Sequence, residues 1–304
     1  MLKVLFLGTS AARPTVERNV SGLVLTREGE SLLFECGEGT QRQMMRYGVT
    51  FALKDVFFTH FHADHFLGVI GLVRTLGLQG RTDPMSLHGP RGAKKVLEKA
   101  LQLGVERAPF AVEVLEVEAG QVLPREGYEL RVYPVEHGSH AVGYALVEKD
   151  RLGRFDPDAA RAAGVPEGPM WGKLQRGQKV TLEDGREVEP DTIVSAPRPG
   201  RKVVYSGDTR PCAATIEIAK GADLIVHEAT FADEEKERAA ETGHSTAREA
   251  AEVARDARAR RLVLTHLSAR YSRDATVLLD EARAVFPETS VAKDGLEVDV
   301  PFRD

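Results

Sequence analysis

The chain reads as an α/β fold in which sheets are covered by helices, and three observations predict it. Apolar runs of strand length alternate with stretches at helical spacing in mixed order, first up to about residue 147 and again after about residue 200. Imidazole and carboxylate side chains recur just past the C-terminal ends of predicted strands, where a rigid scaffold can gather them. A single glycine- and proline-rich segment, Lys149–Pro199, interrupts the pattern without a long apolar period of its own.

Taken in order, Leu2–Leu7 is a strand and Gly8–Asn19 a loop. Val20–Thr26 and Ser31–Glu35 form a hairpin over Arg27-Glu28-Gly29-Glu30. Cys36-Gly37-Glu38-Gly39-Thr40 is a glycine-rich turn into a short helix that ends at Tyr47. Val56-Phe57-Phe58 is a buried strand and Phe66–Leu76 a helix. Ser86–His88 is a small strand, Arg91–Leu103 a helix, and Val112–Val117, Glu129–Val135 and Val142–Val147 are strands. Lys149–Pro199 is expected as an insertion outside the core. The core pattern resumes with strands at Lys202–Ser206, Asp223–His227 and Arg261–Thr265. Thr246–Arg258 is an alanine-rich helix with Thr246 and Glu249 spaced as a capping box. A helix over Asp274–Phe286 and a short strand close the chain.

Composition narrows the class. The chain has 304 residues, 42% hydrophobic and 29% charged, enough for a sizeable core. No stretch approaches the roughly 20 apolar residues of a membrane span, and Leu2–Leu7 is too short for a signal core. The cysteines are Cys36 and Cys212 alone, so a disulfide scaffold is excluded and a reducing, cytoplasmic setting is expected. A net charge of −5 excludes nucleic-acid binding by overall charge. A polyanionic substrate would need local positive patches or metal ions. Lys149–Lys179 offers one such patch, with seven Lys or Arg against four Asp or Glu.

The chemistry centres on Thr59–His65, Thr-His-Phe-His-Ala-Asp-His, between a strand end and a helix start. His60 and His62, two apart, can turn to one centre. Asp64 and His65, adjacent, point differently and suit a second. Imidazole nitrogen and carboxylate oxygen are the donor set for zinc and similar ions. His137, Asp208 and His266 also follow predicted strands, making seven donors in all. Asp208 is the candidate to bridge two ions through its carboxylate.

These residues carry a resemblance. His60-Phe61-His62-Ala63-Asp64-His65, a later His, Gly-Asp-Thr and a final Thr-His resemble the metallo-β-lactamase superfamily. Phe6-Leu7-Gly8-Thr9, Cys36-Gly37-Glu38-Gly39-Thr40-Gln41, Ser206-Gly207-Asp208-Thr209-Arg210-Pro211, His227-Glu228-Ala229-Thr230, Gly243-His244-Ser245-Thr246 and Leu264-Thr265-His266 narrow it to the short form of the ribonuclease Z family, the tRNA 3′-processing endoribonucleases. Gly164-Val165-Pro166-Glu167-Gly168-Pro169 followed by Gly172-Lys173-Leu174 resembles that family's arm.

The resemblance implies a four-layer αβ/βα sandwich over 1–148 and 199–304, with a protruding arm inserted at 149–198. It implies two Zn²⁺ per subunit, with Mn²⁺ an alternative occupant. One ion would lie on His60, His62, His137 and Asp208, the other on Asp64, His65, Asp208 and His266. It implies removal of the 3′ trailer from precursor tRNA, a homodimer, and an arm that grips tRNA through Gly164, Pro166, Gly168 and Lys173. Asp64 would take a proton from water, and His244, oriented by Glu228, would protonate the departing 3′-oxygen. His140 competes with His137 as a ligand, but the His-Gly pairing matches His137. Arg18 and Asn19 fall in a loop linked to reading the tRNA 3′ end, where the family's P-x-K-x-R-N appears with Val16 in the lysine place. Glu35 stands where the family usually has Asp. A hydrolase of small phosphate diesters or cyclic nucleotides is the alternative.

Overall fold

A computed structural model describes residues 1–105 and 107–303. The chain divides into two compact units, Met1–Val147 with Lys202–Pro301, and Glu148–Arg201 with the residues from Phe302.

The larger unit holds two seven-stranded sheets. The first contains β1 (Leu2–Gly8), β2 (Gly22–Arg27), β3 (Glu30–Phe34), β4 (Asp55–Phe57), β5 (Met85–Gly89) and β6 (Val112–Glu116). The second contains β7 (Val122–Arg125), β8 (Tyr128–Pro134) and β9 (Val142–Glu148). After an inserted hairpin, β10 (Val180–Thr181) and β11 (Glu187–Val188), it continues with β12 (Lys202–Tyr205), β13 (Leu224–Glu228), β14 (Leu262–Thr265) and β15 (Thr289–Val291). β16 (Glu297–Asp299) returns to pair antiparallel with β1 at the edge of the first sheet.

Both faces of each sheet are buried, so the strands read as nearly unbroken apolar runs. Successive side chains alternate faces, and the three core clusters follow from that alternation. Phe6, Phe34 and Phe57 of the first sheet meet Leu130, Tyr144, Tyr205, Val226 and Val263 of the second. Phe34 and Phe57 stack at 5.2 Å, and Tyr144 meets both edge-on. Leu7, Leu33 and Val56 face the other way and are covered by the helices Thr40–Arg46, Gly68–Leu78 and Ala93–Leu101 through Met44, Leu72, Val73 and Leu97. On the second sheet's outer face, Val204, Ile225 and Leu264 are covered by Ala247–Asp256 and Thr276–Arg283. Ala247, Ala250, Ala251 and Ala254 face that sheet, so the helix backbone can come close. The result is the expected helix–sheet–sheet–helix sandwich. The capping box forms as its spacing predicted: the Glu249 amide donates to Thr246 Oγ1 at 3.2 Å, and the Thr246 amide to Glu249 at 2.9 Å.

The smaller unit has more structure than its composition suggests. Helices cover Pro157–Ala162 and Pro169–Gln175, and the first is capped by Asp156, which accepts from two backbone amides. Its own core joins Ala160, Val165, Leu174, Val180, Leu182, Val188 and Ile193. Trp171 is part of this packing, 5.0 Å from Phe155 with Nε1–H donating to the Val165 carbonyl. These apolar residues are spread singly over short elements, so no period betrays them. The positive excess of Lys149–Lys179 also proves local, because Glu148–Arg201 as a whole carries ten Lys or Arg and ten Asp or Glu. Gly164, Pro166, Gly168 and Lys173 are exposed on this unit.

Candidate metal centre

Four chain segments deliver donors to one place in the larger unit. The loop after β4 brings His60, His62, Asp64 and His65. His137 follows β8, Asp208 follows β12, and His266 follows β14. Backbone conformation aims two of them. Gly207 sits at φ 60°, and a Cβ there would lie 2.6 Å from the Thr59 side chain. His266 adopts φ 55°, a conformation uncommon for a side chain of its size and typical of strain stored at functional sites.

The donors form two sets around one shared atom. In the first, His62 Nδ1 lies 3.0 Å from His60 Nε2 and 3.2 Å from His137 Nε2. Asp208 Oδ2 is 3.6 and 3.8 Å from those two Nε2 atoms. In the second, Asp208 Oδ2 is 3.3 Å from His65 Nε2 and 3.4 Å from His266 Nε2. Asp64 Oδ2 is 3.5 and 3.3 Å from the same two nitrogens. Zinc bonds of 2.0–2.1 Å in a tetrahedron put ligand atoms about 3.3 Å apart, so both sets have a fitting spacing.

The hydrogen bonds behind the donors leave bare nitrogens facing inward. Glu35 Oε1 accepts both the Thr59 amide at 3.1 Å and the Thr59 hydroxyl. Thr59 Oγ1 must then accept from His60 Nδ1–H, 3.0 Å away, and His60 Nε2 carries a lone pair. A matching relay serves His266. Glu228 Oε2 accepts the Thr230 hydroxyl at 2.8 Å, and Thr230 Oγ1 accepts from His266 Nδ1–H at 3.0 Å. His137 Nδ1–H donates to the Gly243 carbonyl at 2.8 Å. Imidazole lone pairs and two carboxylates thus converge with few protons to share.

His65 shows the same demand. Its nitrogens stand 3.4 Å from Glu35 and 3.3 Å from Asp208, yet neither makes a directed hydrogen bond, and Asp208 Oδ1 is buried without a partner. These are ion-pair distances around a common centre rather than bonds between neighbours. Burial opposes charge on His65, but Asp208 and Glu35 outweigh it and raise its pKa well above the ordinary value. Burial, with His65 beside it, holds His60 well below. Burial also disfavours the Asp64 and Asp208 charges, yet the surrounding histidines overcome this and hold both carboxyls well below the usual range. This donor set fits divalent cations.

Glu228 and His244 stand beside the centre. His244 Nδ1 lies 2.8 Å from Glu228 Oε1, which also accepts the Thr209 amide at 3.0 Å. Burial works against a charged His244 ring, but Glu228 and then Asp208 outweigh it and push its pKa up to about 9. Arg210 backs this pair: it forks onto Glu249 with two 2.7 Å bonds and donates to the His244 carbonyl at 2.6 Å. Its partner Glu249 lies 39 residues away on the capped helix.

Other expected residues lie elsewhere. Arg18 is buried, and its guanidinium is spent on the Ser272 carbonyl, Thr9 Oγ1 and the Ala292 carbonyl. These bonds use Nε and Nη1 and tie the loop to the segments carrying Ser272 and Ala292. Asn19 is half-buried, with its amide donating to Asp294 and its side chain packed over Gly39. His140 is exposed and outside the donor groups. Among the described residues, no helix is long and apolar enough to cross a membrane.

Comparison with known proteins agrees with this geometry. A profile for the β-lactamase superfamily domain matches residues 192–267, and one for anti-Pycsar protein Apyc1 matches residues 2–154. Ribonuclease Z of Myxococcus xanthus is 58% identical over 305 residues, covering 100% of this chain and 99% of that protein. Ribonuclease Z of Haloferax volcanii is 52% identical, covering 100% and 96%. The crystal structure of human tRNase Z, short form, superimposes with a TM-score of 0.72 at 28% identity, over 99% of this chain and 100% of that one. With the sandwich, the donor cluster and end-to-end identity in agreement, this chain belongs to the ribonuclease Z family.

Proposed function

We propose that the protein is a metal-dependent endoribonuclease that removes the 3′ trailer from precursor tRNA, leaving a tRNA 3′-hydroxyl and a 5′-phosphorylated trailer. The observation that carries this reading is the meeting of seven donors beside the His244–Glu228 pair, in a chain that matches ribonuclease Z from end to end.

Two zinc ions are the proposed occupants, one held by His60, His62, His137 and Asp208, the other by Asp64, His65, Asp208 and His266. When bound, such ions supply positive charge to a phosphodiester's non-bridging oxygens and make water nucleophilic near neutral pH. The chain's own residues do the rest. Asp64, fixed by the Ala12 amide at 2.7 Å, accepts a proton from the attacking water. His244, with Nδ1–H donated to Glu228, turns Nε2 toward the cleft and gives its proton to the departing 3′-oxygen. Arg210 holds the His244 backbone in place.

The unit Glu148–Arg201 is proposed to bind the body of the tRNA, with Gly164, Pro166, Gly168 and Lys173 in its contact surface. Lys173 and Arg176 support this, since both are exposed and neither pairs with a carboxylate among the described residues. A homodimer and a cytoplasmic location belong to the same proposal. The test is a labelled precursor tRNA bearing a 3′ trailer, incubated with and without chelator beside a cyclic nucleotide. Chelator-sensitive cleavage at the trailer junction is expected. Turnover of the cyclic nucleotide alone would replace this reading with the small-diester alternative.

A further inference from the structure

A cleft of about 660 Å³ opens over the donors, and three arginines line it: Arg13, Arg238 and Arg270. Arg270 pairs with Glu235, so its charge is largely spent. Arg238 is exposed and pairs with no carboxylate among the described residues. Its guanidinium instead lies 5.7 Å over the ring of Phe231, which Arg270 approaches at 6.0 Å. Phe231 is 6% exposed, so it serves as a fixed wall that orients the guanidinium rather than as an open stacking surface.

Position along the chain gives this cation a direction. Phe231, Arg238 and His244 belong to one continuous wall, running from the end of β13 through the helix Lys236–Thr242. The Phe231 and His244 rings are 6.2 Å apart. Asp64 is anchored to a different lining segment of the cleft, through the Ala12 amide of the loop that carries Arg13. In-line displacement places the leaving oxygen opposite the attacking one. With His244 serving the leaving 3′-oxygen, its wall therefore faces the retained side of the RNA. The next group in that direction is the nucleotide carrying this oxygen, together with its own 5′-phosphate.

We propose that Arg238, braced on Phe231, binds the phosphate on the 5′ side of the last retained nucleotide and so fixes where cleavage falls. The inference rests on the trailer-removal reading. An unpaired, planar guanidinium in a wet cleft suits a phosphate, which it meets with paired N–H donors.

Steady-state cleavage of a trailer-bearing precursor tRNA tests it. Arg238→Ala should raise KM about tenfold, the loss of one charge-assisted contact, with kcat changed far less. The slope of log(kcat/KM) against log salt should become shallower by about 0.7, one single-strand phosphate contact. Arg238→Lys should recover the salt slope, and Arg255→Ala, outside the cleft, should match wild type. A substrate with a neutral methylphosphonate at that one linkage should cost wild type the same factor and cost Arg238→Ala nothing further. Unchanged KM and slope in Arg238→Ala, or equal added losses with the neutral linkage, would overturn the inference while trailer removal stands. Failure of wild type to cleave any precursor tRNA would overturn both.

Discussion

His244 and Glu228 are joined by a 2.8 Å bond between Nδ1 and Oε1, and the same carboxylate reaches His266 through Thr230. One buried acid thus holds both the proposed proton donor and a proposed metal ligand. His244→Ala should reduce cleavage of precursor tRNA by about 10²–10⁴-fold, the usual range for a general acid. Hydrolysis of bis(p-nitrophenyl) phosphate, whose leaving group departs without protonation, should fall much less. Uniform loss on both substrates would mean that the ring only supports the fold.

Asp208 Oδ2 lies within 3.8 Å of donors in both sets. Asp208→Ala should therefore weaken metal binding by more than the roughly 10–100-fold that follows loss of an outer hydrogen-bond partner. Metal content after gel filtration checks it. Two ions per chain retained with full activity would refute the shared-ligand assignment.

The core of the smaller unit runs from Ala160 to Ile193. Excision should therefore remove 150–199 as a whole, bridged by a short linker, rather than stop at residue 179 and strand half of a core. The trimmed protein should keep its hydrolysis of bis(p-nitrophenyl) phosphate and lose most of its kcat/KM on precursor tRNA. Loss of both activities, with a folded circular dichroism spectrum, would argue against a tRNA-binding role confined to this unit.

At the start of β4, Asp55 joins the two sheets. It pairs with His88 on β5 at 2.6 Å and with Arg125 on β7 at 3.0 Å. Burial alone would raise the Asp55 pKa, but His88 and Arg125 more than offset it, so the folded value lies below the ordinary one. Its contribution is therefore complete above the unfolded value of about 3.9 and disappears as pH falls through the lower folded value. Asp55→Asn should cost about 1–3 kcal/mol at pH 7. Urea titrations should show that gap closing below about pH 4. A gap independent of pH would show that the carboxylate's charge is not what matters.

The readable parts of this molecule were those in which one short segment carries its own signal. Thr59–His65 packs four donors into a single loop, and Thr246 with Glu249 announces a helix start. Apolar runs located most strands to within a residue or two, but of β15 and β16 only one short closing strand was read. What escaped depended on partners distant in sequence. β7 contains Pro124 and lies at a sheet edge, the one place where a proline disturbs no shared ladder, so its strand character was hidden. Arg18 meets the Ala292 and Ser272 carbonyls, both more than 250 residues further along the chain. The pairing of Arg210 with Glu249 likewise joins residues from different elements. The helices Ala213–Ile218 and Lys236–Thr242 are only six and seven residues long, too short to establish a period.

The two threonine relays are closed by carboxylates and hydroxyls of the chain itself. Glu35 with Thr59, and Glu228 with Thr230, fix which nitrogen of His60 and of His266 keeps its lone pair for the cluster. Removing either threonine hydroxyl would let its imidazole exchange tautomers, so two hydroxyls govern a binding event in which they take no direct part.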